Sequence, residues 1–298
     1  MGNKNSYTLY VPATNDQNIW FAFVNESLIE VDSYHKLIVD FNTVDFMETD
    51  DFVVLACLIE SFMSKGTEKV IFINGTKGFR SHITNIRFEE YWLPHFNREK
   101  FTPSLNRTTL CLWKVNPQMI YPYAQYAKTY FENFTENKDL VALASNMEEV
   151  FNNIIDHSDS QGYGYIISQY YKKNQEVSFS ICDFGVGIVN SLNNYRESIG
   201  ESKLEDWRAI AEAIKRGVSS KSVPHNRGFG LDNLMALVES TNGEIIIRSN
   251  FGYLEKQAGK PYLFDNMHVE FPGTLIKVRV SLKSFDDRDE SEFQDFEL

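Results

Sequence analysis

The stretch Val177-Ser178-Phe179-Ser180-Ile181-Cys182-Asp183-Phe184-Gly185-Val186-Gly187 decides the fold. Its first six residues read as an apolar strand, and the D-x-G-x-G that follows stops the strand and turns the chain. A carboxylate at such a strand end can accept a hydrogen bond from the adenine 6-amino group, and it would repel the carbonyl that guanine presents there. Gly185 and Gly187 let the backbone pass close to a flat ring and take up positive φ where needed. A plain strand-ending turn is the alternative reading of this motif taken singly.

A second glycine box lies downstream, Gly228-Phe229-Gly230-Leu231, or G-x-G-L, at the start of a predicted helix over Gly230 to Ser240. Exposed N–H groups and the dipole of a helix N-terminus suit a phosphate. Arg227 and Lys221, with Lys215 or Arg216, would add countercharge. Between the boxes, Gly217 to Asn226 is polar and reads as a lid over a ligand. Gly273-Thr274, just before the last strand, would set a hydroxyl near the base, and a plain turn is the other reading.

Upstream, Glu149, Asn153 and His157 recur every four residues, on one face of a helix predicted from Lys138 to His157. Leu143, Met147, Val150, Phe151 and Ile154 form the opposite, apolar face. The pattern also describes an ordinary amphipathic helix with a wet side. Given a function, Asn153 offers a neutral oxygen to Mg²⁺, which prefers oxygen ligands shared with phosphates. Glu149 can take a proton from a water or hydroxyl. His157, one turn later, either hydrogen-bonds near phosphates or caps the site, and a surface histidine at a helix end is the other reading.

Elsewhere, Lys36–Phe41 and Lys69–Ile73 read as strands joined by an apolar helix, Phe52–Met63, with Asp50 and Asp51 at its start. This strand–helix–strand spacing predicts a parallel crossover unit. Tyr7–Val11 and Ile19–Val24 read as two further strands. The polar, Pro103-containing segment 97–107 is the predicted boundary. Beyond it the sequence predicts a strand at Thr108–Val115, a helix at Pro117–Phe134, paired strands at Gly164–Tyr171 and Val177–Asp183, a helix at Leu204–Lys215, and strands at Glu244–Ser249 and Leu275–Leu282. The domains are therefore 1–107, 108–285 and an acidic tail, 286–298.

The bulk numbers fit this picture. An apolar fraction of 43% and a charged fraction of 23% are those of a globular protein. A net charge of −12 argues against a nucleic-acid partner. The longest apolar run, Phe52–Ile59, is too short to span a bilayer, and no signal peptide is visible. Cys57, Cys111 and Cys182 are scattered and read as reduced, buried thiols in a cytoplasmic protein. No Walker pattern is present, and the D-F-G of Asp183–Gly185 lacks the other kinase signatures.

Taken together, Glu149-x-x-x-Asn153-x-x-x-His157, D-x-G-x-G and G-x-G-L resemble the GHKL ATPase superfamily over roughly residues 108–284, in the form closest to anti-sigma-factor serine kinases. The resemblance implies a Bergerat-type α/β sandwich, a mixed sheet backed by helices. By the same token Asn153 would bind Mg²⁺ and Glu149 would be the general base. Asp183 would read adenine, with Gly185, Gly187, Gly228 and Gly230 shaping the pocket. Leu37–Phe52, the helix after it and K-V-I-F-I resemble STAS domains, which places the phosphoacceptor position near Thr49; the sequence there, Glu48-Thr49-Asp50-Asp51, lacks the usual glycine. The expectation is a Mg-ATP-binding regulator of a protein partner, with neither nucleic acid nor membrane as partner. Hydrolysis, phosphotransfer to serine or threonine, and nucleotide-gated binding without turnover all stay open, as does a homodimer.

Overall fold

The computed structural model describes residues 4–100, 102, 104, 108–135, 137–157, 164–215 and 230–288; the side chains of Lys4 and of 153–157 lie outside that description. The chain begins with β1 (Lys4–Tyr10), α1 (Gln17–Ile29), β2 (Tyr34–Asp40), α2 (Thr49–Ser64), β3 (Val70–Ile73) and α3 (Lys77–Asn85). The strands form a parallel sheet in the order β1-β2-β3. The second part runs β4 (Thr109–Val115), α4 (Ile120–Glu132), α5 (Val141–His157), β5 (Gly164–Tyr171), β6 (Glu176–Asp183), α6 (Gly187–Ser198), α7 (Asp206–Ala213), α8 (Gly230–Ser240), β7 (Glu244–Lys256) and β8 (Leu263–Ser281). Its sheet is five-stranded, ordered β4-β5-β6-β8-β7.

Three expectations are corrected here. The predicted strand Ile19–Val24 lies inside α1. Asp16 caps that helix by accepting the Asn18 N–H, and Trp20, Phe21, Val24 and Ser27 fall on one buried stripe of helical period. The five-stranded sheet, expected as mixed, is antiparallel in every pairing. Short turns close the β5–β6 and β7–β8 hairpins, and a hairpin can only pair antiparallel strands. The helix expected from Leu204 begins later because Asn193 holds Leu204 by both backbone groups, accepting its N–H at 2.9 Å and donating to its carbonyl at 3.1 Å. Helices α3 and α6 had no counterpart in the sequence reading.

The alternation in β6 explains the layering. Val177, Phe179 and Ile181 point into the core beneath α4–α8. Ser178, Ser180 and Cys182 point to the other face, where they are fully buried against α2. Small side chains there let the helix come close. Thr49 Oγ1 lies 2.7 Å from Ser180 Oγ and 3.3 Å from Ser178 Oγ, and the Cys57 thiol donates to the Cys182 carbonyl at 3.2 Å. Of the 16 residues of α2, 13 are buried, which suits a helix pressed between two sheets rather than lying on a surface. Leu37, Val39, Leu55 and Ile59 therefore share one apolar cluster with Leu112, Tyr165, Ile167 and Leu275, across the expected boundary at 97–107.

Polar groups fix the register of that contact. Glu60, near the end of α2, takes the Tyr165 hydroxyl at 2.7 Å, the Lys114 ammonium at 2.7 Å and the Arg98 guanidinium at 2.9 Å. Burial pushes its pKa up, but Lys114, Tyr165 and Arg98 outweigh that and hold the carboxyl below its usual range. The expected acidic tail begins as ordered chain. Asp139 N–H donates to the Asp286 carbonyl, and Arg288 pairs with Glu132 at 2.6 Å. Residues 289–298 lie outside the described residues. Among the described residues, no helix is long and apolar enough to cross a membrane.

Candidate functional site

Asp183 ends β6 directly opposite Thr274 of β8. Its side chain is buried, and among the described residues the one hydrogen bond to its carboxylate comes from the Gly185 N–H, at 2.8 Å to Oδ1. Burial raises its pKa to about 7, and that N–H offsets the rise in part. The carboxyl is therefore harder to ionise than an ordinary aspartate.

The turn after Asp183 is glycine-dependent at one position that the contacts identify. Gly187 has φ +78°, and a Cβ there would lie 2.6 Å from Ser249 Oγ and 2.7 Å from the Gly273 carbonyl. Gly273, φ +103°, lets β8 pass against the backbone of Asp183 and Phe184. Thr274 Oγ1 accepts the Ile188 N–H at 3.2 Å, while Ser249 donates to the Gly273 carbonyl at 2.7 Å and accepts the Val189 N–H at 3.4 Å. The first turn of α6 is thus tied to β7 and β8. Asp183, Gly185, Gly187 and Thr274, spread over 92 positions of chain, meet at one end of the sheet. Ser249 completes the group, and nothing in its local sequence singles it out.

Glu149 lies half-buried on α5. With Ser145, Asn146, Asn233 and Ser240 it lines a cleft of about 510 Å³ between α5 and α8. Asn153 and His157 continue α5, their side chains outside the described residues. Gly230 opens α8, and Leu231 packs into the core beneath the helices. Lys221, Arg227, Gly228 and Phe229 lie outside the described residues. Thr49 is 1% exposed, and its hydroxyl is engaged with Ser178 and Ser180, so the position resembling a phosphoacceptor is closed to a kinase in this conformation. Among the described residues, no group of three His, Cys, Asp or Glu side chains could hold a metal ion.

The raised pKa of Asp183 gives a pH dependence of definite sign. A carboxyl that is more basic folded than unfolded binds more protons in the folded state between the two pKa values. Its contribution to stability is greatest below about pH 4 and is lost as pH rises to about 7. Asp51 acts in the same direction, because burial first and the Asp50 charge second raise its pKa. Asp183→Asn should therefore come closest to wild type in thermal melts near pH 4 and exceed it at pH 8. Equal melting temperatures at both pH values would show that Asp183 ionises freely in the fold.

Scans against protein-family models and against curated proteins return no match to this chain.

Proposed function

We propose that this protein binds Mg-ATP in a Bergerat-type domain and uses it to control a protein partner. The observation that carries the reading is the buried carboxylate of Asp183, set at a strand end beside the Thr274 hydroxyl and a turn that demands glycine at 187. That acceptor and donor pair fits an adenine edge: Asp183 accepts from the 6-amino group, and a hydroxyl can donate to a ring nitrogen. The spacing of Glu149, Asn153 and His157 on α5 and the glycine box before α8 supply the phosphate side of the same reading. Asn153 would hold Mg²⁺, an ion that binds through few protein oxygens and shares the rest of its shell with phosphates and water. Glu149, facing a cleft, would take the proton from an attacking water or hydroxyl.

Isothermal titration with ATP, ADP and GTP, with and without Mg²⁺, tests this reading. ATP should bind, Mg²⁺ should tighten it, and GTP should bind at least about tenfold more weakly, the cost of one unmatched hydrogen bond at a buried acceptor. Asn153→Ala should erase the Mg²⁺ dependence. Asp183→Asn should weaken ATP and narrow the gap to GTP, because the amide both donates and accepts. Equal affinity for ATP and GTP in wild type would remove Asp183 as the base reader. The N-terminal part would serve as the STAS-like regulatory portion, with Thr49 seated against β6 rather than presented for modification.

A further inference from the structure

We propose that the N-terminal unit acts as a regulatory lever on the Asp183 turn: docking of α1 and α2 on the five-stranded sheet sets the geometry of residues 183–189. As a statement about ligand control this rests on the reading of Asp183 as a nucleotide contact. As a statement about coupling it stands on the contacts alone.

Both sides of Asp183 are held from the N-terminal unit. On the near side, Cys57 of α2 donates to the carbonyl of Cys182, the residue before Asp183. On the far side, Phe184 meets the ring of Phe271 edge-on at 5.9 Å, and Phe271 meets Phe21 of α1 edge-on at 5.0 Å. Phe271 is fully buried. Such edge-to-face pairs are directional, so a shift of one ring is felt by the next.

The segment that carries Phe271 also builds the turn. Gly273 lies against Asp183 and Phe184, its carbonyl accepts Ser249, and Thr274 holds the Ile188 N–H. At its other end, the Glu270 carbonyl accepts the Asn25 amide of α1 at 2.8 Å. Residues 270–274 thus have α1 at one end and the turn at the other. The hairpin is shaped for this. Asn250 pairs with Phe271 and Gly252 with Asn266, so the single residue Phe251 faces the four residues 267–270. A bulge of this kind re-aims a strand, and here Met267 and Val269 join the cluster that holds α1 and α2.

If docking and ligand binding are linked, each must strengthen the other by the same factor. The test is amide hydrogen exchange and ATP titration on the full chain, wild type and Phe21→Leu, with Asn25→Ala as a second variant that removes only an exposed amide. ATP should slow exchange in residues 17–29, and Phe21→Leu should weaken ATP about fivefold, the low end of typical coupling. In both variants, exchange at 184–189 should quicken while exchange at 276–280 of the same sheet stays unchanged, a contrast that general loss of stability would not give. Unchanged exchange at 184–189 in both variants overturns the coupling. So does ATP binding that leaves residues 17–29 unprotected and Phe21→Leu affinity within twofold of wild type. Failure of wild type to bind ATP removes the nucleotide reading instead, and the exchange at 184–189 without ligand then decides the coupling by itself.

Discussion

Replacing Glu149 with glutamine should slow ATP turnover by about 10²–10⁴-fold, the span that a positioned general base contributes, while ATP affinity stays within about twofold. Glutamine keeps the length of the side chain and its hydrogen-bonding reach, so the wall of the cleft between α5 and α8 is preserved. What it loses is the capacity to take a proton at neutral pH. The expected result is therefore a fall in kcat with KM little changed, the signature of an interaction used in the transition state and not in the ground state. Single-turnover phosphate release measures it, and titration of the same variant shows that binding survives. Wild-type turnover that Glu149→Gln leaves intact would remove Glu149 from the chemistry. Tight ATP binding with no wild-type turnover would favour the nucleotide-gated binding module over an enzyme.

How far such a site was legible in advance depended on which residues act locally. The six residues before Asp183 read as a strand because they are apolar and end in a turn. That Ser178, Ser180 and Cys182 form the seat of a helix was invisible, since a small-residue stripe on a strand gains meaning only when α2, over a hundred residues earlier in the chain, lies on it. Gly187 was legible as a motif glycine, but the reason for it is tertiary: Ser249 and the Gly273 carbonyl occupy the space where a Cβ would sit. Ile19–Val24 misled because a short apolar run fits either period, and the Asp16 cap together with the stripe Trp20, Phe21, Val24 and Ser27 decides for a helix. Likewise β7 and β8 run past their expected ends through a bulge at 267–270, where Met267 and Val269 are partly buried against the cluster that includes α1 and α2, a contact their own sequence pattern does not show.

The polar anchor beneath α2 should prove as consequential for stability as Glu149 for turnover. Lys277→Met is expected to lower the unfolding free energy by about 3 kcal/mol, the lower end of the cost of leaving buried charges without their partner. Lys277 Nζ contacts Asp50 Oδ1 at 2.8 Å and Glu48, and its side chain is 14% exposed against 4% for Asp50. Burial works against the ammonium, yet Asp50 and Glu48 outweigh it and raise its pKa above the ordinary lysine value. Methionine fills a similar volume, so the loss reports charge and not a cavity. Glu48 keeps some exposure and can turn to water, which is why the lower end of the range applies. Asp50 cannot, and in the variant it sits beside Asp51, whose pKa is already raised by burial and by Asp50 itself. Two consequences separate this account from simple repacking. The deficit should shrink as pH falls from 8 to 5, because Asp51, whose carboxylate form Lys277 favours, is raised to about 8 by burial and by Asp50, and protonating it removes that part of the loss. Asp50→Asn combined with Lys277→Met should recover most of the loss, giving a large coupling energy in a double-mutant cycle. Urea midpoints at pH 5 and pH 8, with m unchanged, measure both. A deficit independent of pH and additive with Asp50→Asn would mean that Lys277 holds α2 by packing alone.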